Sequence, residues 1–259
     1  MIEYFLILLL ILYFILYFNR INGIIKLIVL INKYKKPLFI IADNKCTCKR
    51  YKPYKCNKCI LTNLIDIESF DESLNMLSKI DANIPLNIII HTNGGESDSA
   101  DTIAVLLKER KGIVNIYIPK YAYSAGTMIA LGGDYIYMNW YSVGGPIDAQ
   151  LDFDHDNELG NDYSTRHIRK LVKCKEKEDR QFLQGCLADD FHNECEIILR
   201  KLLQDNDNVE IIIENLLNNN ISHGYSYTRS DFEKFGLPIK YDVPDDIMKI
   251  FNLYKNIFI

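Results

Sequence analysis

Hydrophobic and polar positions divide this chain into stretches of different rhythm. Residues 4–18, YFLILLLILYFILYF, are uncharged and contain no glycine or proline. A stretch with no polar face predicts a helix surrounded by apolar material. Counted from Met1, it approaches the ~17 to 25 residues that span a bilayer. The start Met-Ile-Glu, and the lack of a small-residue cleavage pattern after it, argue against a cleavable signal peptide. Residues 1–20 are therefore expected to be a transmembrane anchor rather than a buried core helix. IIKLIVLINKYKK then mixes apolar and basic positions, as an amphipathic helix continuing along the membrane surface would. On this reading residues 21–36 are a basic juxtamembrane segment.

From residue 37 the pattern changes to short apolar runs. PLFIIAD, LNIIIH, IVNIYI and DYIYM (37–43, 86–91, 113–118 and 134–138) are rich in β-branched and aromatic residues and predict strands. DESLNMLSKI (71–80), residues 97–111 and SAGTMIALGG (124–133) carry helical spacing between them, and SVGGPID (142–148) reads as a turn or strand. Strands alternating with helices over short connections predict an α/β core. Beyond residue 162 apolar positions recur every three or four residues, and VEIIIENLLNN repeats the pattern, so the C-terminal part is expected to be helical. Ser230 and Glu233 have the spacing of a capping box, predicting a short helix that stops at Gly236.

Charge and cysteine content change the picture in two ways. A formal net charge of −4 leaves no basic excess to neutralise phosphates, so nucleic acid is not an expected partner. The basic residues that do cluster, Arg20, Lys26, Lys33, Lys35 and Lys36, follow the apolar run, while only Glu3 precedes it. That asymmetry predicts that the domain after the anchor faces the cytoplasm. Four of the seven cysteines, Cys46, Cys48, Cys56 and Cys59, stand as C-x-C and C-x-x-C in a loop over 45–60. Thiolates at that spacing could hold a structural zinc, and reduced cytoplasmic thiols favour a metal over disulfides. The other reading is an exposed lysine-rich loop with incidental cysteines. Cys174, Cys186 and Cys195 fall on helical positions.

Two strand ends could carry chemistry. HTNGG places Gly94 and Gly95 between a strand and a helix, where backbone N–H groups can point into a cleft. YSAGT places Ser124 at a similar junction, at the positive end of a helix. Taken alone, Ser124 reads more simply as an N-cap.

Together, at this spacing, the motifs resemble the serine dehydrogenase proteinase family, SppA-like members of the ClpP/crotonase superfamily. HTNGG, YAYSAGTMIAL, GGDYIYM, GPIDAQ, ISHGYSYT and FGLPI carry the resemblance over roughly residues 37–254. It implies an α/β fold with a ClpP/crotonase-like core of repeated β-β-α units over 37–259, behind an N-terminal transmembrane helix and with a helical C-terminal part. It implies a serine endopeptidase with Ser124 as nucleophile, Gly95 and Ala125 as oxyanion-hole donors, and Gly94, Gly145 and Pro146 against the substrate. SppA-like enzymes use a lysine base, and alignment of HIRKLVKCK puts it on Lys175, with Lys170 second; Lys173 and Lys177 are further candidates. A Ser-His-Asp arrangement is the competing one, with His155 and His167 as its candidate histidines. His91 reads as a satisfied core histidine, and His223 matches a family position without an assigned role. Asn93 and Ala149 stand where the family has prolines, and neither change removes a reacting group. A peptide or protein substrate, a homo-oligomer and catalysis without a cofactor follow from the same resemblance. The alternatives are a catalytically inactive scaffold or peptide-binding protein of this fold, and crotonase-like thioester chemistry, which the serine motif disfavours.

Overall fold

The computed structural model describes residues 2–34, 36–42, 74–75, 77–152, 162–173, 179–218 and 221–258. The expected zinc ligands Cys46, Cys48, Cys56 and Cys59 lie outside the described residues, as do Lys175, Lys177, Cys174 and His155. The chain opens with helix α1 (Ile2–Tyr34) and continues through β1 (Leu38–Ala42), β2 (Leu86–His91), α2 (Ser97–Lys108), β3 (Val114–Ile118) and β4 (Tyr121–Ala122). Then follow α3 (Ala125–Leu131), β5 (Tyr135–Met138), β6 (Val143–Gly144), β7 (Gln150–Asp152), β8 (Asp162–Ser164), α4 (Thr165–Lys173) and α5 (Asp179–Leu202). The last elements are α6 (Val209–Ile213), a π-helical turn (Glu214–Asn218), β9 (Tyr227–Thr228), α7 (Arg229–Lys234), β10 (Ile239–Tyr241) and α8 (Asp245–Phe258).

Five parallel strands form the main sheet in the order β1-β2-β3-β5-β10. Every residue of β2 is buried, as expected for a parallel strand covered on both faces. Its side chains alternate between two cores. Ile88 and Ile90 join Ile116, Ile118, Ile103, Leu107 and Ile129 under α2 and α3. Ile89 joins Tyr117, Leu27, Ile247, Ile250 and Phe251 under α1 and α8.

The second half of α1 is thus part of the domain. Leu27, Leu30, Ile31 and Tyr34 pack with α8 and the sheet, whereas Ile25, Ile28 and Val29 on other sides of the helix are exposed. Residues 21–34 are helical as expected, but the inner face of this stretch is covered by protein. Among the described residues, no helix is long and apolar enough to cross a membrane. The side chains of the first 17 residues, which hold most of the expected anchor, are outside that description.

A second, smaller sheet sits at the carboxyl ends of the main strands. Its order is β4-β6-β9, with β4 parallel to β6 and β9 antiparallel to it. Thr92, just past β2, bridges to Ala122 of β4. Units of main strand, short cross-strand and helix therefore recur, as in β3–β4–α3. The C-terminal helix after β9 begins earlier than its sequence suggests. The capping box is Thr228 with Asp231, not Ser230 with Glu233, because β9 ends at Thr228 and the chain turns there. The helix ends before Gly236, whose φ of 89° supplies the left-handed residue of a stop.

Candidate active site

Ser124 adopts φ 50° and ψ −117°, an uncommon conformation for a residue with a side chain. It occupies the N-cap position of α3, yet its hydroxyl makes no capping hydrogen bond. The capping reading therefore fails. A strained backbone holding a serine at a strand-to-helix turn is the geometry of a nucleophile elbow. Gly94, at φ 127°, passes so close that a Cβ there would come within 2.9 Å of the Ser124 Cβ. Only glycine permits both that approach and that φ. Thr92 fixes the turn, its hydroxyl donating to the Gly94 carbonyl and accepting from the Gly94 N–H. Gly95 follows in the same loop, and Ala125 is the first residue of α3, where backbone N–H groups have no intrahelical partner.

The small sheet brings three segments to one end. Ala122, Gly144 and Tyr227 are in register across β4, β6 and β9. Because β4 and β6 are parallel and β9 is antiparallel, the chain leaves β4 and β6 and enters β9 at the same edge. Ser124 lies two residues beyond β4, Asp148 four beyond β6, and His223 four before β9. Thr127 locks the first two segments together, its hydroxyl donating to the Ala122 and Gly145 carbonyls and accepting from the Gly145 N–H. The π-helical turn holds the other two. Its Leu216 carbonyl accepts from the Ile147 N–H at 2.9 Å, and its Asn215 carbonyl accepts from the Tyr227 hydroxyl.

Asp148 and His223 form a pair at that edge. The His223 Nδ1 is 2.9 Å from the Asp148 Oδ1. Asp148 is fully buried, and its Oδ2 accepts from Ser164 Oγ at 2.6 Å and from Arg166 Nη2 at 3.1 Å. Burial pushes the Asp148 carboxyl up, but the hydrogen bonds from His223 and Ser164 and the charge of Arg166 overcome it and hold it below its ordinary value. An ionised carboxylate accepts, so Nδ1 donates and Nε2 of His223 is left as the acceptor nitrogen. Arg166 also donates to the Ile221 carbonyl at 2.8 Å, tying the network to the segment that carries His223. Among the described residues no hydrogen bond joins Ser124 to His223; such contacts are often long without substrate and tighten with it.

The other expected residues fall into place differently. Gly145 lies beneath the Tyr123 ring, and Pro146 follows it toward Asp148. Lys170 and His167 are exposed on α4, so Lys170 lacks the burial a lysine base requires. His91 is buried, as expected, with its ring against Tyr121 and Phe251. Burial, with Lys255 and Lys120 nearby, lowers its pKa to about 4. It is not a fully satisfied histidine, since its Nδ1 has no hydrogen-bond partner among the described residues. The sequence alone does not single out Asp148 and gives His223 no role. The signal was present as an acid inside GPIDAQ and a histidine in ISHGYSYT, but only pairing through the small sheet joins them.

Comparison with known proteins found similar sequences and similar structures. Two uncharacterized proteins of Methanocaldococcus jannaschii, MJ0137 and MJ1495, are 29% and 28% identical over 197 and 195 residues. Those alignments cover 74% and 73% of this chain and 66% and 64% of the relatives, so the chain spans just under two thirds of their length. Among solved structures, the membrane-bound stomatin-specific protease 1510-N is similar at a TM-score of 0.49 and 16% identity, covering 83% of this chain and 84% of that one. ClpP1 from Listeria monocytogenes is similar at 0.45 and 14%, covering 80% and 92%. Likenesses of that depth carry no argument. The family model of ClpP-like SDH-type serine proteinases matches residues 2–258, and the chain belongs to that family.

Proposed function

We propose that this chain is a serine peptidase in which Ser124 is the nucleophile, His223 the general base and Asp148 the group that orients it. The carrying observation is the convergence of three segments at one edge of the small sheet, with His223 held on a buried carboxylate. The order Ser…Asp…His differs from some triads of the same geometry, but roles follow geometry and not chain order. Ser124 Oγ attacks the peptide carbonyl carbon and its proton passes to His223 Nε2. The resulting oxyanion accepts from the Gly95 and Ala125 N–H groups. His223 then gives the proton to the leaving amine as the C–N bond breaks, leaving an acyl-enzyme on Ser124. Water, deprotonated by His223, cleaves the acyl ester and the serine recovers its proton. No cofactor enters these steps.

A lysine base at Lys175 is the rival from family resemblance; Lys175 lies outside the described residues, and His223 is preferred here on the strength of its bond to the buried Asp148. We further read the N-terminal run as a membrane anchor with the peptidase domain on the cytoplasmic side. The exposed Ile25, Ile28 and Val29 support this, since they extend the apolar surface of α1 beyond the run itself. Membrane fractionation of the full chain and of a form lacking residues 1–20 checks it. A homo-oligomer and a peptide substrate are taken over from the family, and light scattering of the purified protein tests the first. A structural zinc on Cys46, Cys48, Cys56 and Cys59 stays a proposal, tested by metal analysis.

Labelling with a fluorophosphonate probe tests the central reading. The full chain is expected to label at one site, and Ser124→Ala to stay unlabelled. Equal labelling of both proteins would sink the peptidase reading in favour of an inactive scaffold.

A further inference from the structure

We propose that Tyr123 and Ser226 form a positioning tie that sets the separation between the nucleophile and the base. The inference rests on the Ser124–His223–Asp148 reading above. Tyr123 directly precedes Ser124, and Ser226 follows His223 by three residues. Their hydroxyls meet at 2.6 Å, so the bond closes the loop between the two arms at the edge where the chain leaves β4 and enters β9. Gly145, on the central arm between them, is the reason the span is short. The Tyr123 ring lies over it, and a Cβ at Gly145 would stand 2.4 Å from Tyr123 Cδ1. Any larger residue would lift the ring and pull its hydroxyl from Ser226.

The ring is also braced from behind. Its centroid is 5.8 Å from that of Tyr121, Tyr121 is 4.0 Å from His91, and His91 is 4.9 Å from Phe251 in the core under α8. A row of four rings therefore runs from a buried core to the residue beside the nucleophile. Tyr123 hence has little freedom, and its hydroxyl transmits a fixed position to the His223 segment. An exposed bond between two hydroxyls adds little to folding stability. Its effect is expected in geometry, where a displacement of about 1 Å can cost on the order of 100-fold in rate.

Fluorophosphonate inactivation of the full chain separates these effects without a known substrate. Tyr123→Phe keeps the ring and loses the hydroxyl, and Ser226→Ala removes the other partner. Each is expected to lower the maximal labelling rate between about 10- and 100-fold, with the half-saturating probe concentration and the melting temperature unchanged. The double variant should lose no more than either single, because both remove the same bond. Ser226→Thr, which restores a hydroxyl, should recover most of the rate. Wild-type rates in both single variants, losses that multiply in the double, or losses that follow melting temperature would each overturn the tie. If Ser124→Ala is unlabelled while the two single variants behave as wild type, only the tie fails. If Ser124→Ala still labels, the triad reading fails first.

Discussion

The two sheets of this molecule are built by different rules. The main sheet is held by apolar burial. Its central strands contribute Ile88, Ile89, Ile90, Ile116, Ile118 and Ile136, all nearly inaccessible to water, and each buried side chain of that size is worth about 1.5–3 kcal/mol. The small sheet has three strands of two residues each. Too short to stand by themselves, these strands are held by hydroxyl and carbonyl bonds through Thr127, Tyr227 and the π-helical turn. The first sheet supplies stability and the second supplies position. The side chains of the proposed triad gather beside the second, where a polar network can be satisfied without cutting into the core.

The sharpest way to break this division is at Asp148. Asp148→Asn keeps the shape but removes the charge that orients His223, and labelling at Ser124 is expected to fall by about 10,000-fold. It also leaves Arg166 buried without its ion partner, so chemical denaturation should show a loss of about 3–5 kcal/mol. Core damage should behave in the opposite sense. Ile136→Ala is expected to cost about 2–5 kcal/mol while the folded fraction labels at the wild-type rate. Loss of labelling per folded molecule in that variant would erase the distinction between the sheets.

A smaller effect sharpens it. Asp101 on α2 is buried toward α5 with one carboxyl oxygen unpartnered among the described residues. Burial first, and then Asp98 and Glu194, raise its pKa from 3.8 to about 7. The folded state therefore holds the proton more tightly than the unfolded chain, and stability falls as pH rises from about 4 to about 7. Asp101→Asn should match wild type near pH 4 and exceed it at pH 8 by on the order of a few kcal/mol. Melting curves across that range check the sign, and labelling should not change. Smallest of all, Arg200→Ala removes exposed pairs with Glu196 and Glu210 and is expected to leave melting temperature and labelling unmoved.

The same division explains what was legible in the sequence. LNIIIH and IVNIYI announced themselves because burial on both faces demands continuous β-branched runs. HTNGG and YSAGT were readable because glycine and small residues mark close approach, and Gly94 beside Ser124 is such a contact. The two-residue strands were not readable, since no periodicity exists in two positions. Without β9 nothing in the sequence brings ISHGYSYT to GPIDAQ, so family resemblance alone directs attention to the lysines after GPIDAQ. The Thr228–Asp231 cap is hidden for the same reason: the strand that ends at Thr228 leaves no mark in the sequence.

The choice of base is the most direct test of the account. The labelling rate of the full chain is to be compared for His223→Ala and Lys175→Ala, with Ser124→Ala as the zero. The account predicts a fall of at least about 10,000-fold for His223→Ala, partly restored by added imidazole, and a rate within a few-fold of wild type for Lys175→Ala. Wild-type labelling of His223→Ala together with a silent Lys175→Ala would contradict it and return the proton to the lysine.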